Sequence, residues 1–102
     1  INKMTSFQSR VWSVCARIPR GRVSTYKYIA RALHTRAYQA VGNALNKSPG
    51  MPSVPCHRVV KSDGELGGFA HGSRKKKELL ETEGVQVKGG RIADFKGVCY
   101  NF

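Results

Sequence analysis

The sequence predicts a mainly α fold: a winged helix-turn-helix, with a three-helix core and a small β wing, followed by a C-terminal helix and a short β-hairpin. Three observations carry that expectation. Apolar residues recur at three- and four-residue spacing in three successive segments, the second and third joined by a short polar turn. The third segment has small apolar residues on one face and amides and cations on the other. Beyond it, Lys61-Ser62-Asp63-Gly64-Glu65 has the composition of a hairpin turn between short extended pieces. With 102 residues, the chain is expected to form one domain, 1–102, large enough for a small core but not for two.

Thr5-Ser6-Phe7-Gln8 has the form of a capping box, and Phe7, Val11, Val14, Cys15 and Ile18 then trace the stripe of a first helix. Pro19-Arg20-Gly21-Arg22 ends it with two cations that face either a phosphate or water. Ser24 or Thr25 caps a second helix, whose inner face is Tyr26, Ile29, Ala30 and Leu33. Spacing alone makes Tyr26, at its start, a core tyrosine. After His34-Thr35-Arg36, the third helix turns Ala37, Val41, Ala44 and Leu45 inward and Arg36, Gln39, Asn43, Asn46 and Lys47 outward. Gly42 costs that helix about 1 kcal/mol relative to alanine, which points to a close approach there by protein backbone or nucleic acid.

Ser48-Pro49-Gly50-Met51-Pro52-Ser53 is a loop whose prolines limit its freedom. Val59-Val60 leads into the turn of the wing, and Gly67-Gly68-Phe69-Ala70-His71-Gly72 is a glycine loop. Ser73 is expected to cap a fourth helix and Gly84 to stop it. On that helix Lys76, Leu79, Leu80 and Glu83 share one side, so Glu83 either points inward against the helix dipole, with a specific partner, or is a surface glutamate near a frayed end. Val85-Gln86-Val87-Lys88 alternates as a strand, Gly89-Gly90 turns, and Arg91 to Phe95 returns beside it. The tail from Lys96 to Phe102 receives no role.

Eighteen Lys and Arg against six Asp and Glu give a formal charge of +12, and such an excess favours a polyanionic partner, nucleic acid first. No apolar run approaches the roughly 20 residues that span a bilayer, and no signal peptide is visible. Cys15, Cys56 and Cys99 make an odd set without close pairing, which fits a reducing compartment: the cytoplasm of a prokaryote or the nucleus of a eukaryote. No C-x-x-C spacing occurs and the three histidines are far apart, so no metal and no cofactor are expected.

Pro55-Cys56-His57-Arg58-Val59-Val60 sets a thiol beside an imidazole. A thiolate is the better nucleophile, and a neighbouring base or a helix N-terminus favours it. Pro55 suits the first turn of a short helix. A Cys-His pair in sequence is nevertheless weak by itself, because the two must meet in space.

The order helix-turn-helix, proline loop, Pro55-Cys56-His57-Arg58-Val59, glycine loop and a helix ending in Glu83-Gly84 resembles the C-terminal active-site and DNA-binding domain of the O6-alkylguanine-DNA alkyltransferases (methylated-DNA--protein-cysteine methyltransferases). Ser24-Thr25-Tyr26 and Ala40-Val41-Gly42 stand at the matching distances, and the family's N-terminal domain has no counterpart in these residues. The resemblance implies direct-reversal DNA repair, an irreversible transfer of the alkyl group from guanine O6 to the protein's own cysteine, each molecule acting once. It makes Cys56 the nucleophile, His57 the base acting through a water, Glu83 the group orienting the imidazole, and Tyr26 the residue assisting nucleotide rotation. The expected DNA-binding residues are Arg36, Gln39, Ala40, Gly42, Asn43, Ser48 and Arg58, with Arg58 also structural. Tyr26, Val59, Phe69, Ala70 and His71 are expected to line the substrate pocket. The implied partner is double-stranded DNA containing O6-alkylguanine, bound by a monomer through the minor groove with the damaged base flipped out.

Four positions depart from the family pattern. Gln39 replaces an arginine that fills the gap left by the flipped base, Ser48 an asparagine bracing the active-site loop, Phe69 a tyrosine, and Ala70 a frequent serine. Arg36, one turn earlier, is the expected substitute for that arginine. Two rival readings are an alkyltransferase-like protein that senses lesions without transfer, against which Cys56 argues, and a small cysteine hydrolase, against which the charge argues.

Overall fold

The computed structural model describes residues 7–47, 54–67 and 72–102. Helix α1 (Phe7–Cys15) is followed by strand β1 (Ser24–Thr25), helices α2 (Tyr26–Ala32) and α3 (Tyr38–Asn46), a 3-10 helix (Cys56–Arg58) and strand β2 (Val59–Val60). Helix α4 (Ser73–Thr82), strands β3 (Val87–Lys88) and β4 (Arg91–Ile92) and a short α5 (Phe95–Val98) complete the order.

The apolar stripes of the first three helices meet as their spacing requires. Val11, Val14, Cys15, Ile18, Ile29, Ala30, Val41, Ala44 and Leu45 share one core with Val54, Cys56 and Val59. Trp12 donates its indole N–H to the Ala44 carbonyl at 2.8 Å, tying α1 to α3. Thr25, not Ser24, caps α2: its hydroxyl oxygen accepts from the Tyr28 N–H at 3.0 Å. Ala37 departs from its expected inner position, since it is the exposed N-cap of α3. Ser73 likewise lies inside α4, whose N-cap is Gly72. Gly84 stops α4 as expected with φ +90°, the left-handed conformation that glycine adopts without a Cβ penalty. The capping box at Thr5-Ser6 and the 48–53 loop lie outside the described residues.

The wing differs from a free hairpin. Its turn is present, closed by the Lys61 N–H on the Glu65 carbonyl and the Gly64 N–H on the Lys61 carbonyl, both at 2.9 Å. The strand before it, however, pairs parallel to β1, Ser24 with Val59 and Thr25 with Val60. Parallel strands need a crossover, and α2 and α3 supply it. Glu65, after the turn, bridges antiparallel to Arg91. A two-residue strand cannot sustain a hairpin alone, so both arms recruit partners from elsewhere.

Residues alternate faces along β2: Val59 enters the helical core, whereas Val60 joins a second core with Val23, Leu66, Leu80, Val85, Val87 and Ile92. The chain from Cys56 to Val60 therefore runs along the seam between two apolar clusters. The C-terminal tail, given no role by its sequence, bridges Val23 through Cys99 in parallel register on the other side of β1. There the Tyr100 N–H donates to the Val23 carbonyl at 2.6 Å and the Ser24 hydroxyl to the Tyr100 carbonyl at 2.8 Å.

Candidate active site

Three elements converge on the seam. Pro55 caps the 3-10 helix, which presents Cys56, 7% exposed, at its first position. His57 and Arg58 follow, both buried. Opposite them, Glu83 ends α4 with a side chain only 4% exposed, as its place on the Lys76-Leu80 side of the helix requires. Its Oε1 lies 3.1 Å from His57 Nε2, close enough for an ion pair but without hydrogen-bond alignment. Arg58 donates Nε to Glu83 Oε1 at 2.9 Å and Nη2 to Oε2 at 2.5 Å, a bidentate pair. Its Nη1 reaches the Ile18 carbonyl at 2.8 Å.

The Arg58 guanidinium points inward and joins three segments distant in sequence.

The charges follow from burial and pairing. Burial pulls the His57 pKa below its ordinary value despite the opposing pull of Glu83, so the imidazole is neutral at pH 7 and able to accept a proton. With Nε2 facing Glu83, the nitrogen left for that role is Nδ1, which has no hydrogen-bond partner among the described residues. Burial pushes Glu83 upward, but the hydrogen bond from Arg58 and the nearby His57 outweigh it and hold the carboxyl below its ordinary value. Tyr26 is raised, chiefly by burial and then by Cys56, and stays a phenol able to donate. Its ring packs on the helical core, as its spacing implied. A Cβ on Gly67 would lie 3.4 Å from the Tyr26 hydroxyl and 3.1 Å from Lys61 Cγ, so this glycine lets the start of the glycine loop close on the tyrosine.

Two neighbours carry no obvious mark in the sequence. Lys76 is fully buried, donates Nζ to the Leu66 carbonyl at 2.5 Å and lies 6.0 Å from the centre of the Tyr26 ring. Burial brings its pKa down to about 8, with Cys56 and Cys15 pulling the other way. Only its place on the apolar side of α4 sets it apart from the flanking cations. Cys15 is a core thiol, pushed up to about 12 by burial and by Cys56, and is inert as a nucleophile. Among the described residues no cluster of three or more His, Cys, Asp or Glu could hold a metal ion.

Of the expected DNA-contacting residues, Arg36, Gln39 and Asn43 are exposed, while Ala40 and Gly42 are half-buried on the same helix. No described protein atom lies within 4 Å of a Cβ built on Gly42, so among those residues no protein neighbour accounts for the glycine. Val59 is wholly buried. Ser48, Phe69, Ala70 and His71 lie outside the described residues. Arg20 donates to the Thr82 carbonyl, and Arg22 to the carbonyls of Val98 and Cys99.

Residues 6–85 match the model of the DNA-binding domain of 6-O-methylguanine DNA methyltransferase. The chain belongs to this methyltransferase family. A methylated-DNA--protein-cysteine methyltransferase of Sulfolobus acidocaldarius is 46% identical over 85 residues, covering 83% of this chain and 54% of the relative. That of Methanosarcina barkeri is 48% identical over 80 residues, covering 78% and 51%. The chain thus spans about half the length of these relatives. Among solved structures, Mycobacterium tuberculosis OGT in complex with DNA matches with a TM-score of 0.73 at 41% identity, covering 78% of this chain and 50% of that one. S. pombe Atl1, in complex with damaged DNA containing O6-carboxymethylguanine, matches with a TM-score of 0.84 at 29% identity, covering 97% and 98%. The methyltransferase family match ends at residue 85, so the tail lies beyond it, whereas the Atl1 likeness extends over nearly the whole chain. Among the described residues no helix is long and apolar enough to cross a membrane.

Proposed function

We propose that this chain is the C-terminal, active-site and DNA-binding domain of an O6-alkylguanine-DNA alkyltransferase, working as a monomer on duplex DNA in the cytoplasm of a prokaryote or the nucleus of a eukaryote. The observation that carries the reading is the chain of contacts from His57 through Glu83 to Arg58 directly behind Cys56. In the reaction, Cys56 Sγ bonds to the alkyl carbon as the carbon–O6 bond breaks. The thiol proton passes through a water to His57 Nδ1, and Glu83 stabilises the imidazolium through Nε2. The departing guanine takes a proton from the Tyr26 hydroxyl, which recovers one from His57 through solvent, so the products are a thioether and unmodified guanine. The damaged base is flipped out of the duplex to reach the thiol.

The test is peptide mapping after incubation with duplex bearing O6-methylguanine. The peptide containing Cys56 gains one methylene, and a Cys56→Ser variant gains none; an unmodified wild-type peptide overturns the proposal. The likeness to Atl1 over 97% of the chain favours a second reading, lesion binding without transfer. Tight binding to lesion duplex with an unmodified Cys56 peptide would establish it.

A further inference from the structure

Tyr38 is the one large hydrophobic side chain exposed among the described residues, at 46%, and it opens helix α3. No ring stacking or cation-π contact holds it there among those residues. An outward-facing ring at a helix start offers flat apolar area to a partner.

Its surroundings limit what that partner can be. On one side Tyr38 shares a cationic opening with Lys27, Arg31 and Arg36. On the other it lines a largely apolar groove of about 520 Å³ with Tyr26, Lys27 and the wing residues Lys61 to Asp63. A third opening joins Tyr38 and Tyr26 to Gln39, Gly42 and Asn43 along α3. Cations flanking an exposed ring are the arrangement that binds a polyanion carrying flat bases. Tyr26 in turn adjoins the candidate active site, so Tyr38 stands where a duplex would open to deliver a base.

Flipping one nucleotide removes its stacking on both neighbours and leaves a gap beside an unpaired partner base. Proteins that stabilise such distortion insert an apolar wedge into the stack. Gln39, the next residue, presents a neutral amide, which offers a stacked base far less flat apolar area than a ring does. We propose that Tyr38 is the wedge of this protein: its ring enters the stack at the vacated position and holds the flipped nucleotide out of the duplex. This inference rests on the DNA alkyl-transfer reading and adds the residue that makes duplex accessible to it.

The experiment compares one protein on three substrates: free O6-benzylguanine, a single-stranded oligonucleotide with O6-methylguanine, and the same oligonucleotide as a duplex. Free base and single strand need no opening of a duplex. Tyr38→Ala should react with both at the wild-type rate and with duplex about 10- to 100-fold more slowly, the range expected for losing one aromatic–base stack. Tyr38→Phe, which keeps the ring and loses only the hydroxyl, should retain the duplex rate. A duplex with 2-aminopurine at the target position reports flipping directly, and its fluorescence rise on binding should shrink for Tyr38→Ala alone. Equal slowing on all three substrates, or an unchanged duplex rate with full 2-aminopurine signal, overturns the wedge. Wild-type protein that flips 2-aminopurine through Tyr38 but alkylates nothing overturns the transfer reading and leaves the wedge standing.

Discussion

Glu83 receives two groups with different tasks. Arg58 holds both carboxylate oxygens in a nearly dry site, and His57 faces one of them from the side of the thiol. Truncating Arg58 to alanine leaves the buried carboxylate facing only His57, and removing one partner of a buried pair costs about 3–5 kcal/mol. Urea unfolding should record a loss of that size, while the salt dependence of DNA binding stays at the wild-type slope because Arg58 faces inward. On the proposed reading, His57 sets the acid limb of the reaction. Its pKa lies below the ordinary 6.5, so the transfer rate should be flat near neutral pH and fall in acid as the ring gains a proton. Glu83→Gln removes a charge that raises this pKa, so the limb should move to still lower pH while the plateau rate drops. A pH–rate profile whose limb moves upward would contradict the orienting role. At Gly42, alanine adds about 1 kcal/mol of helix propensity in open space. Gly42→Ala should raise Tm yet weaken duplex binding, and a gain in both would remove Gly42 from the DNA face.

Among the elements, the seam strand and the tail matter most. Strand β1 is flanked by β2 on one side and by Cys99-Tyr100 on the other, so the segment leading out of the active site is paired with an element that the tail itself braces. Arg22 fastens this arrangement by donating to two tail carbonyls, with its guanidinium 5.8 Å from the centre of the Tyr100 ring. Arg22→Ala should lower stability by about 1.5–3 kcal/mol, the range for hydrogen bonds from a charged donor. If β1 transmits the loss, hydrogen exchange should speed at Val59 and Val60; protection that changes only in the tail would show that the brace is local. The β3–β4 hairpin has a comparable task at the wing, where the Ile92 N–H donates to the Gly64 carbonyl and the Leu66 N–H to the Gly90 carbonyl. Because Leu66 also accepts from buried Lys76, the approach to the glycine loop is held from two directions.

At the scale of the molecule, the charge of +12 and the acid-sensitive groups act together. Below pH 6.5 the unfolded chain protonates its histidine before folded His57 does, and below 4.5 it protonates its carboxylate before folded Glu83 does. Both linkages favour unfolding as pH falls, so stability should decline from pH 7 to pH 4 in thermal melts, helped by growing self-repulsion. Lys76 acts in another window: with a folded pKa of about 8 against 10.5, it lets stability rise with pH between those values. If nucleic acid is the partner, log affinity should fall with log salt by about 0.9 for each phosphate neutralised, and a flat response would count against the DNA face.

The sequence by itself determined helices α1 to α4, their inner faces apart from Ala37, and the identity of the chemical groups, because periodicity and the Pro55-Cys56-His57-Arg58 run are local properties of the chain, whereas α5 carries no such signal. That Glu83 shares a side with Leu80 was legible for the same reason, since residues three and four apart on a helix share a side, but spacing left open whether it is buried. Only tertiary structure decided what Arg58 does, since its partners Ile18 and Glu83 are 40 and 25 residues away. Spacing along the chain likewise gave no warning that Val59-Val60 would pair parallel to β1 or that the tail would edge the same strand. Such pairings close long loops, and two-residue strands have no periodicity from which to read them.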